Sequence, residues 1–408
     1  MTRARDVSRL ITTPPSIYAT DTETSSAGYL TQSSASATYQ GAPFRNLLIN
    51  GAMNIYQRGT TKTGLAGNGN GFYTADRWGF YTDNSATYSQ TIQTTNPTTT
   101  GFIKSLRVTC TATSQQGGLS SFSSAFMFQK IEKQSLSKLN YGNNSAKSLN
   151  LSFWVKSSLT GTFIVGFIDY ENYKYIARSY TINSADTWER KSVTIPGNSE
   201  SVNNFSIGSD AGFEVRFWVQ VGDFFQGQTL ATSWSNFSGQ DEYLGTGHTT
   251  IGTATNQYLE ITGVQLEEGT TSTPFEFKPI KKELDECKRY YRKSFPYQTT
   301  PASSYTSTKL EIQGARHQVS DSVGYRSQHV FFDTEMCTSP TIIVYNGSTN
   351  SANTMRLYSN TGTTQDITAS IYGITPNGFY LAVYTGVSVG TTGLSCMAFF
   401  NYTAEAEI

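Results

Sequence analysis

Short segments with period-two hydrophobicity recur along most of this 408-residue sequence, each bounded by Gly, Asn, Asp or Ser. In residues 44–277 they follow one another at intervals of roughly ten residues, the spacing that favours an antiparallel sandwich. Three segments alternate most clearly: Leu106, Val108 and Cys110; Leu149, Leu151, Phe153 and Val155; and Val215, Phe217, Val219 and Val221. The pattern predicts an all-β chain whose middle domain is a jelly roll or β-sandwich.

Residues 258–293 combine a strand pattern, a tight loop and the one convincing helix pattern without a gap. Gly263 interrupts the alternation as a glycine bulge does, so we expect a bent strand that terminates the edge of its sheet. Pro279 suits the first turn of a helix and Pro296 ends the pattern. The predicted helix runs from about residue 279 to 294, and its apolar stripe contains Leu284, Cys287 and Tyr290 or Tyr291. We expect the other helix face in solvent, with Lys281, Lys282, Asp285, Glu286, Lys288 and Arg292.

Residues 298–408 repeat the period-two pattern and predict a second β-sandwich. Its candidate strands are residues 309–318, 329–333, 341–345, 378–384 and 394–402, and Asn-Gly turn signals follow Tyr345 and Pro376. Loop tips on a rigid sandwich usually carry binding side chains. We therefore expect the loops of this domain to present Tyr325, His329, Tyr345, Asn350, Tyr358 and Tyr372, although scattered surface tyrosines are also ordinary in such a composition.

Residues 1–43 are rich in Ser, Thr, Ala and Tyr and show no sustained period. Such a segment buries too little apolar surface to fold alone. We interpret it as an extended arm that attaches the protein to a larger particle through Arg3, Arg5 and Arg9; the alternative is a disordered tail. The predicted organisation is thus an arm in residues 1–43, a middle domain in 44–277, a linking helix in 278–297 and a tip domain in 298–408.

Several motifs resemble those of phage and prophage tail-fibre proteins. One joins V-Q-L-E-x-G, T-P-F-E and E-L-x-x-C-x-R-Y-Y at residues 264–269, 273–276 and 283–291. Two more are NLLINGAMNIYQRG with TADRW, at residues 46–59 and 74–78, and the C-terminal NYTAEAEI, at residues 401–408. The resemblance implies a homotrimeric tail fibre that is part of the virion. It also implies that the arm docks on a phage tail or adaptor protein and that the fibre binds host cell-surface polysaccharide or lipopolysaccharide.

Composition narrows the remaining classes of function. The formal net charge is zero and 15% of the residues are charged, against about 25% in typical proteins, so we expect no nucleic-acid partner. No apolar segment is as long as the core of a signal peptide or a membrane span. We therefore expect that the protein does not insert into a membrane and that it is released when the host cell lyses. The four cysteines lack metal-site or disulfide-framework spacing, which favours reduced, buried thiols.

Motifs for catalysis are missing from the sequence. The three histidines lie far from any metal-ligand pattern, and there is no nucleophile or phosphate-binding motif. We therefore expect a protein without enzyme activity, cofactor or metal. A fibre depolymerase that hydrolyses host polysaccharide is the alternative, and it would need a pair of carboxylates such as Asp169 with Glu171 or Asp241 with Glu242.

Two segments read Phe-Trp-Val and place one tryptophan each on the strand face opposite the core, Trp154 and Trp218. Beside Arg216 these rings could form a platform on which a sugar stacks. The alternative, which we favour, is that a loop or a neighbouring subunit covers them. The glycan-binding candidates are therefore Trp154, Trp218 and Arg216 in the middle domain and Tyr325, Tyr345 and Tyr358 in the tip, and we place recognition at the tip.

From the sequence we interpret this chain as an adhesive virion protein that attaches to a host glycan without catalysing a reaction. We expect Leu284, Cys287 and Tyr291 of the linking helix to pack near a threefold axis or against the neighbouring sandwich, because a helix of this length is unstable alone. A carbohydrate-binding module that is not viral is a third possibility, but it would be expected to carry a signal peptide.

Overall fold

The computed structural model of this chain describes residues 45–83, 86–94, 96–98, 100–113, 122–199, 204–226, 229–236, 247–301, 310–313, 325–359, 364–384 and 396–408. Residues Asn46–Ile408 form one compact unit. The proposed arm in residues 1–43, with Arg3, Arg5 and Arg9, lies outside the described residues, as do Asp241 and Glu242. The domain boundaries and the attachment role therefore stay predictions.

The described residues form an almost entirely β structure, as predicted. The strands between residues 46 and 268 are β1 Thr61–Leu65, β2 Gly69–Phe72, β3 Gly79–Asp83, β4 Thr87–Gln93, β5 Ser105–Ala112, β6 Ser124–Glu132, β7 Leu149–Ser157, β8 Gly161–Asp169, β9 Lys174–Ile182, β10 Glu189–Ile195, β11 Ala211–Val221, β12 Ser235–Asn236 and β13 Tyr258–Glu268. Three 3-10 turns accompany them at Lys133–Ser135, Ser137–Leu139 and Asp223–Phe225.

These strands form two antiparallel sheets that enclose one apolar core. The first sheet has six strands in the order β1-β4-β5-β13-β7-β10, and the second has seven in the order β12-β9-β8-β11-β6-β3-β2. The alternation seen in the sequence sends one face of each strand inward. Phe153 of β7 and Phe217 of β11 are fully buried, and their rings meet edge to face with centroids 5.0 Å apart. The middle of the chain is therefore a two-layer β-sandwich.

Strand β13 carries the predicted glycine bulge, but it lies in the centre of its sheet. Its register shifts between Thr262 and Gln265, and Gly263 has a positive φ of 59°. The ring of Phe102 lies directly over this glycine, where a Cβ would be 2.5 Å from its nearest atom. Because β5 and β7 pair on its two sides, the prediction of an edge-terminating strand is wrong.

The predicted linking helix is shorter than its sequence pattern. Helix α1 spans Ile280–Lys288, and the chain then forms a strand, β14 Tyr291–Lys293, which pairs with the last strand of the protein. Hydrogen bonds to a distant strand therefore end the helix before Pro296 does. Cys287 and Tyr291 are buried as predicted, whereas Leu284 is only half-buried and Glu283 takes the buried place beside it. No helix in the described ranges is long and apolar enough to cross a membrane.

The remaining strands are β15 Leu310–Gln313, β16 Tyr325–Phe331, β17 Thr341–Asn346, β18 Thr354–Ser359, β19 Thr364–Thr368, β20 Ser370–Thr375, β21 Gly378–Tyr384 and β22 Cys396–Glu405. The long strand β22 pairs with β14, β15, β17 and β18, and β19 continues that sheet. Strands β16, β21 and β20 form a separate three-stranded sheet. A second core lies under both sheets, and alternate residues of β22 enter it, as predicted: Ala398, Phe400 and Tyr402.

Candidate functional site

An open cavity of about 350 Å³ lies on the outer face of the seven-stranded sheet, the face turned away from the sandwich core. We call it the groove. It is lined by side chains of β2, β3, β6 and β11 and of two adjoining loops: Asn70, Tyr81, Asp83, Ser124, Phe126, Phe128, Lys130, Tyr170, Glu214, Arg216, Trp218 and Phe225.

Strand register explains why these side chains meet. Phe126 of β6 lies opposite Tyr81 of β3 on one side and Trp218 of β11 on the other. The Tyr81 and Phe126 rings stack with centroids 4.8 Å apart, and Phe126 meets Trp218 at 4.9 Å. Two residues further along β6, Phe128 lies opposite Arg216. Period-two geometry thus lays an aromatic row across three neighbouring strands.

Two glycines leave room for rings to lie against this face. A Cβ on Gly79 of β3 would be 2.4 Å from the Phe128 ring, and one on Gly166 of β8 would be 2.3 Å from the Tyr175 hydroxyl. Each ring therefore occupies the space that the side chain of any residue larger than glycine would fill at position 79 or 166. Phe128 is consequently buried in the floor of the groove and Tyr175 is buried beside it in the same apolar cluster, whereas the half-buried rings of Tyr81, Tyr170 and Phe225 remain accessible.

One end of the groove contains a hydrogen-bonded group of three polar side chains. Arg216 pairs with Glu214, and the Tyr170 hydroxyl donates to Glu214 Oε2 at 2.5 Å. The Arg216 guanidinium also lies over the Phe126 ring, 4.5 Å from its centroid. Burial and the Glu214 carboxylate raise the pKa of Tyr170 above its ordinary value, so the phenol remains a donor. These contacts fix the guanidinium in a partly exposed position at the cavity wall.

Lys130 lies at the same end, with its ammonium over two aromatic rings. Its Nζ is 5.9 Å from the centroid of Phe128 and 5.8 Å from that of Tyr170. Burial lowers the pKa of Lys130 below its ordinary value, and the neighbouring Glu214 only partly offsets this. Asp83 of β3 lies at the opposite end of the groove. It pairs with Ser124 of β6, which is six residues before Lys130 on that strand. The two ends of the groove therefore carry opposite charges.

A platform shared by Trp154 and Trp218, the interpretation that the sequence did not favour, is wrong. Trp154 lies on β7 in the six-stranded sheet and Trp218 on β11 in the seven-stranded sheet, so the two rings point to opposite outer faces of the sandwich. Trp218 is only 2% exposed because Phe126 and Phe225 pack on it, and it donates to the Tyr175 hydroxyl. A loop therefore covers it, as the alternative interpretation stated. Arg216 and Trp218 belong to the groove and Trp154 does not.

The tip tyrosines lie on strands and not on the predicted loops. Tyr325 begins β16, Tyr345 lies in β17 and Tyr358 in β18. Tyr345 packs against Phe295 and Tyr358 against Phe399, with ring centroids 5.5 and 5.1 Å apart. The side chain of Tyr325 lies outside the described part of the chain. His329 and Tyr372 also lie on strands, whereas Asn350 is a buried turn residue. Whether these side chains bind a glycan stays a prediction.

The carboxylates named as a catalytic pair have structural partners. Asp169 is fully buried and accepts hydrogen bonds from Asn172 and Asn198. Glu171 pairs with Lys133 at 2.8 Å.

Burial lowers the pKa of His248 to about 4, so this histidine is neutral at physiological pH. Cys110, Cys287 and Cys337 are buried free thiols, as expected. Among the side chains described, no group of three or more His, Cys, Asp or Glu could hold a metal ion.

A second charged region, which we call the junction cluster, is buried at its centre, although the Arg289 and Glu405 side chains are 28% and 47% exposed. It contains Arg58, Asp76, Arg77, Glu132, Arg289, Tyr290, Tyr291, Glu405 and Glu407. Arg58 lies over Tyr291, 3.8 Å from the ring centroid, and pairs with Glu407 at 3.0 Å. Arg77 also pairs with Glu407 and lies 3.4 Å from the centroid of Tyr290.

Glu132 of strand β6 also belongs to the junction cluster. It accepts hydrogen bonds from Arg289 at 2.6 and 2.9 Å and from Tyr290 at 2.5 Å. Burial alone would raise the pKa of Glu132, but these donors outweigh burial and hold the pKa below its ordinary value. The carboxylate is therefore fully committed to partners within the chain.

The junction cluster brings together the motifs that resemble tail-fibre proteins. Arg58 belongs to residues 46–59, Asp76 and Arg77 to TADRW, and Tyr290 and Tyr291 to the R-Y-Y motif. Glu405 and Glu407 come from the C-terminal motif. The sequence did not indicate that these segments meet, and their charged side chains pair with one another within the chain. Arg292, expected in solvent, is buried under Phe332 nearby, with the guanidinium carbon 4.5 Å from the ring centroid.

Comparison with known proteins adds little to this description. No protein-family model matches the sequence. No curated protein matches it.

Several solved structures resemble parts of the chain at low identity. The enzymatically active domain of tailspike protein 4 of bacteriophage CBA120 has a TM-score of 0.31 and 12% identity, covering 56% of this chain and 22% of that chain. A family 11 carbohydrate-binding module of Clostridium thermocellum has a TM-score of 0.24 and 14% identity over 50% of this chain and 97% of the module. TmCBM61 in complex with β-1,4-galactotriose has a TM-score of 0.24 and 10% identity over 47% and 88%. At these scores none of the three establishes a function for this chain.

Proposed function

We propose that this protein binds a carbohydrate in the groove and does not cleave it. The observation that carries the proposal is an open cavity in which accessible aromatic rings lie beside fixed charged groups. The C–H face of a sugar packs on rings such as Tyr81 and Tyr170, and sugar hydroxyls bind a guanidinium group such as that of Arg216. A purely apolar or purely charged cavity would not suit a sugar in this way.

The spacing of the carboxylates supports binding over hydrolysis. Asp83 and Glu214 line opposite ends of the groove, and their partners on β6 are Ser124 and Lys130. Six strand residues span about 20 Å, whereas the two carboxylates of a glycosidase lie about 5 to 9.5 Å apart. The pair in the groove is therefore poorly placed for hydrolysis, and the buried Asp169 is committed to amide partners.

We further propose that the binding serves host attachment by a phage tail fibre. The motif resemblance supports this role, since the matching segments build one shared structural unit, the junction cluster. In this proposal the protein is a homotrimeric part of the virion, its arm docks on a tail or adaptor protein, and its ligand is host polysaccharide or lipopolysaccharide. Placing the ligand in the groove moves the expected contact from the tip tyrosines to the middle of the chain.

Titration calorimetry with purified surface polysaccharides tests the groove. We expect Tyr81→Ala to weaken binding about five- to thirtyfold, because the ring supplies an accessible stacking face worth about 1 to 2 kcal/mol. Tyr358→Ala is the matched control, since it removes a half-buried strand tyrosine of the tip. Both variants should keep the wild-type circular dichroism spectrum.

The outcomes separate the competing sites and activities. If Tyr358→Ala weakens binding and Tyr81→Ala does not, recognition belongs to the tip and the groove proposal fails. If wild-type protein releases new reducing ends from a bound polysaccharide, the depolymerase alternative replaces simple binding. Host-cell adsorption by the full chain, lost in Tyr81→Ala, would support the attachment role.

A further inference from the structure

Strand β6 places three side chains of one face, Phe128, Lys130 and Glu132, in a line that leaves the groove and enters the junction cluster. Lys130 is the cation in this line, and its backbone carbonyl accepts a hydrogen bond from the buried Arg77 at 2.6 Å. The junction cluster thus holds the backbone under Lys130 while the ammonium remains at the groove. The backbone is held in place, and no ion pair in the described residues neutralises the ammonium.

Both carboxylates nearest to Lys130 along the sheet are occupied by other partners. Glu214 lies directly opposite Lys130 in the β6–β11 register, but its oxygens bind Arg216 and Tyr170. Glu132, two residues along the same face, binds Arg289 and Tyr290. Within the part of the chain that the structure describes, no carboxylate lies within 4.0 Å of Lys130 Nζ. A half-buried ammonium that lies over two aromatic rings without an ion pair in the described residues costs solvation free energy, which an anionic ligand would recover.

We propose that the groove selects an anionic saccharide, with the carboxylate or phosphate group of one sugar bound by Lys130. This inference rests on the proposed carbohydrate binding. It also gives the bound chain a direction, since Asp83 lies at the other end of the groove and repels an anionic group there. Arg216 contributes less to this selection because Glu214 already compensates its charge.

The test begins with full-length protein on an array of bacterial surface polysaccharides that contains neutral, uronic-acid and phosphate-bearing members. We expect binding to the acidic members. Carboxyl reduction of a uronic-acid glycan, or enzymatic dephosphorylation of a phosphorylated one, should each weaken binding about tenfold or more, and the two treatments identify which anion is read.

The variant Lys130→Met should lose a similar factor on the untreated acidic glycan and should bind the neutralised glycan as wild-type protein does. Lys138→Met is the control, because it removes the same charge from an exposed position outside the groove. Lys130→Arg should restore most of the binding.

Each result decides between the inference and the function on which it rests. Binding to neutral glycans only, or an unchanged affinity in Lys130→Met, would overturn the anionic selection and leave carbohydrate binding standing. Absence of binding to every array member would overturn the carbohydrate proposal itself.

Discussion

The groove and the junction cluster contain the same chemical groups but differ in how accessible those groups are. In both, a guanidinium lies on an aromatic ring and pairs with a glutamate: Arg216 on Phe126 in the groove, and Arg58 on Tyr291 in the junction cluster. They are also connected, since one face of β6 enters both. They differ in access, because the groove is an open cavity and the Arg77 and Glu407 side chains are only 1% and 5% exposed.

The difference shows how to distinguish structural charges from charges available to a ligand. In the junction cluster the arginines and glutamates satisfy one another, and burying them is tolerable only because each is paired. In the groove one cation, Lys130, has no carboxylate contact among the described residues, while its neighbours do. Arginine and aromatic residues in a sequence motif therefore do not indicate a binding site by themselves, and the accessible, unpaired ammonium is the feature on which our proposal for the groove rests.

The largest effect is expected from breaking the junction cluster. Arg77→Met leaves the buried Glu407 with one arginine fewer, and loss of one partner of a buried pair typically costs about 3 to 5 kcal/mol. We expect the free energy of unfolding, measured by urea denaturation, to fall by this amount. The double variant with Glu407→Leu should recover part of the loss. A wild-type urea midpoint in the single variant would show that the cluster is dispensable.

A smaller, pH-dependent effect is expected at Glu283, which is buried in α1 beside the junction cluster. Burial raises the pKa of Glu283 to about 7, whereas an unfolded glutamate titrates near 4.3. The folded state therefore binds the extra proton between these values, and the contribution of Glu283 to stability falls as pH rises from about 4.3 to about 7. Glu283→Gln should match wild type near pH 4 and exceed it by up to about 3 kcal/mol at pH 8. Parallel stability curves across that range would contradict the assignment.

The smallest effect on stability is expected from the groove cation. Lys130→Met should leave the free energy of unfolding within about 0.5 kcal/mol of wild type or raise it, because the ammonium makes no ion pair in the described residues. The same substitution is expected to weaken glycan binding. A loss of several kcal/mol in urea denaturation would place Lys130 with the junction cluster and remove the contrast between the two regions.

Part of the fold and part of the site could be predicted from the sequence. Strands β5, β7 and β11 could be predicted because alternate side chains of each enter the sandwich core, and a core on one face imposes period-two hydrophobicity. The bulge at Gly263 was found for a similar local reason, since a positive φ favours glycine. Arg216 and Trp218 were named as candidates from the same alternation, but Tyr81, Lys130, Tyr170 and Glu214 were missed. They lie on other segments, and no local pattern connects them to β11.

Sequence alone was enough to tell which side chains of strands such as β5, β7 and β11 face the core, because side-chain direction in a strand depends only on local backbone geometry. Strand order is not local. Only the tertiary structure placed Trp154 and Trp218 in different sheets, made β13 central, and ended α1 at Lys288 so that Tyr291–Lys293 could pair with β22. It also decided the function of each charge, because identical arginine and glutamate side chains differ in access according to the distant strands that cover them.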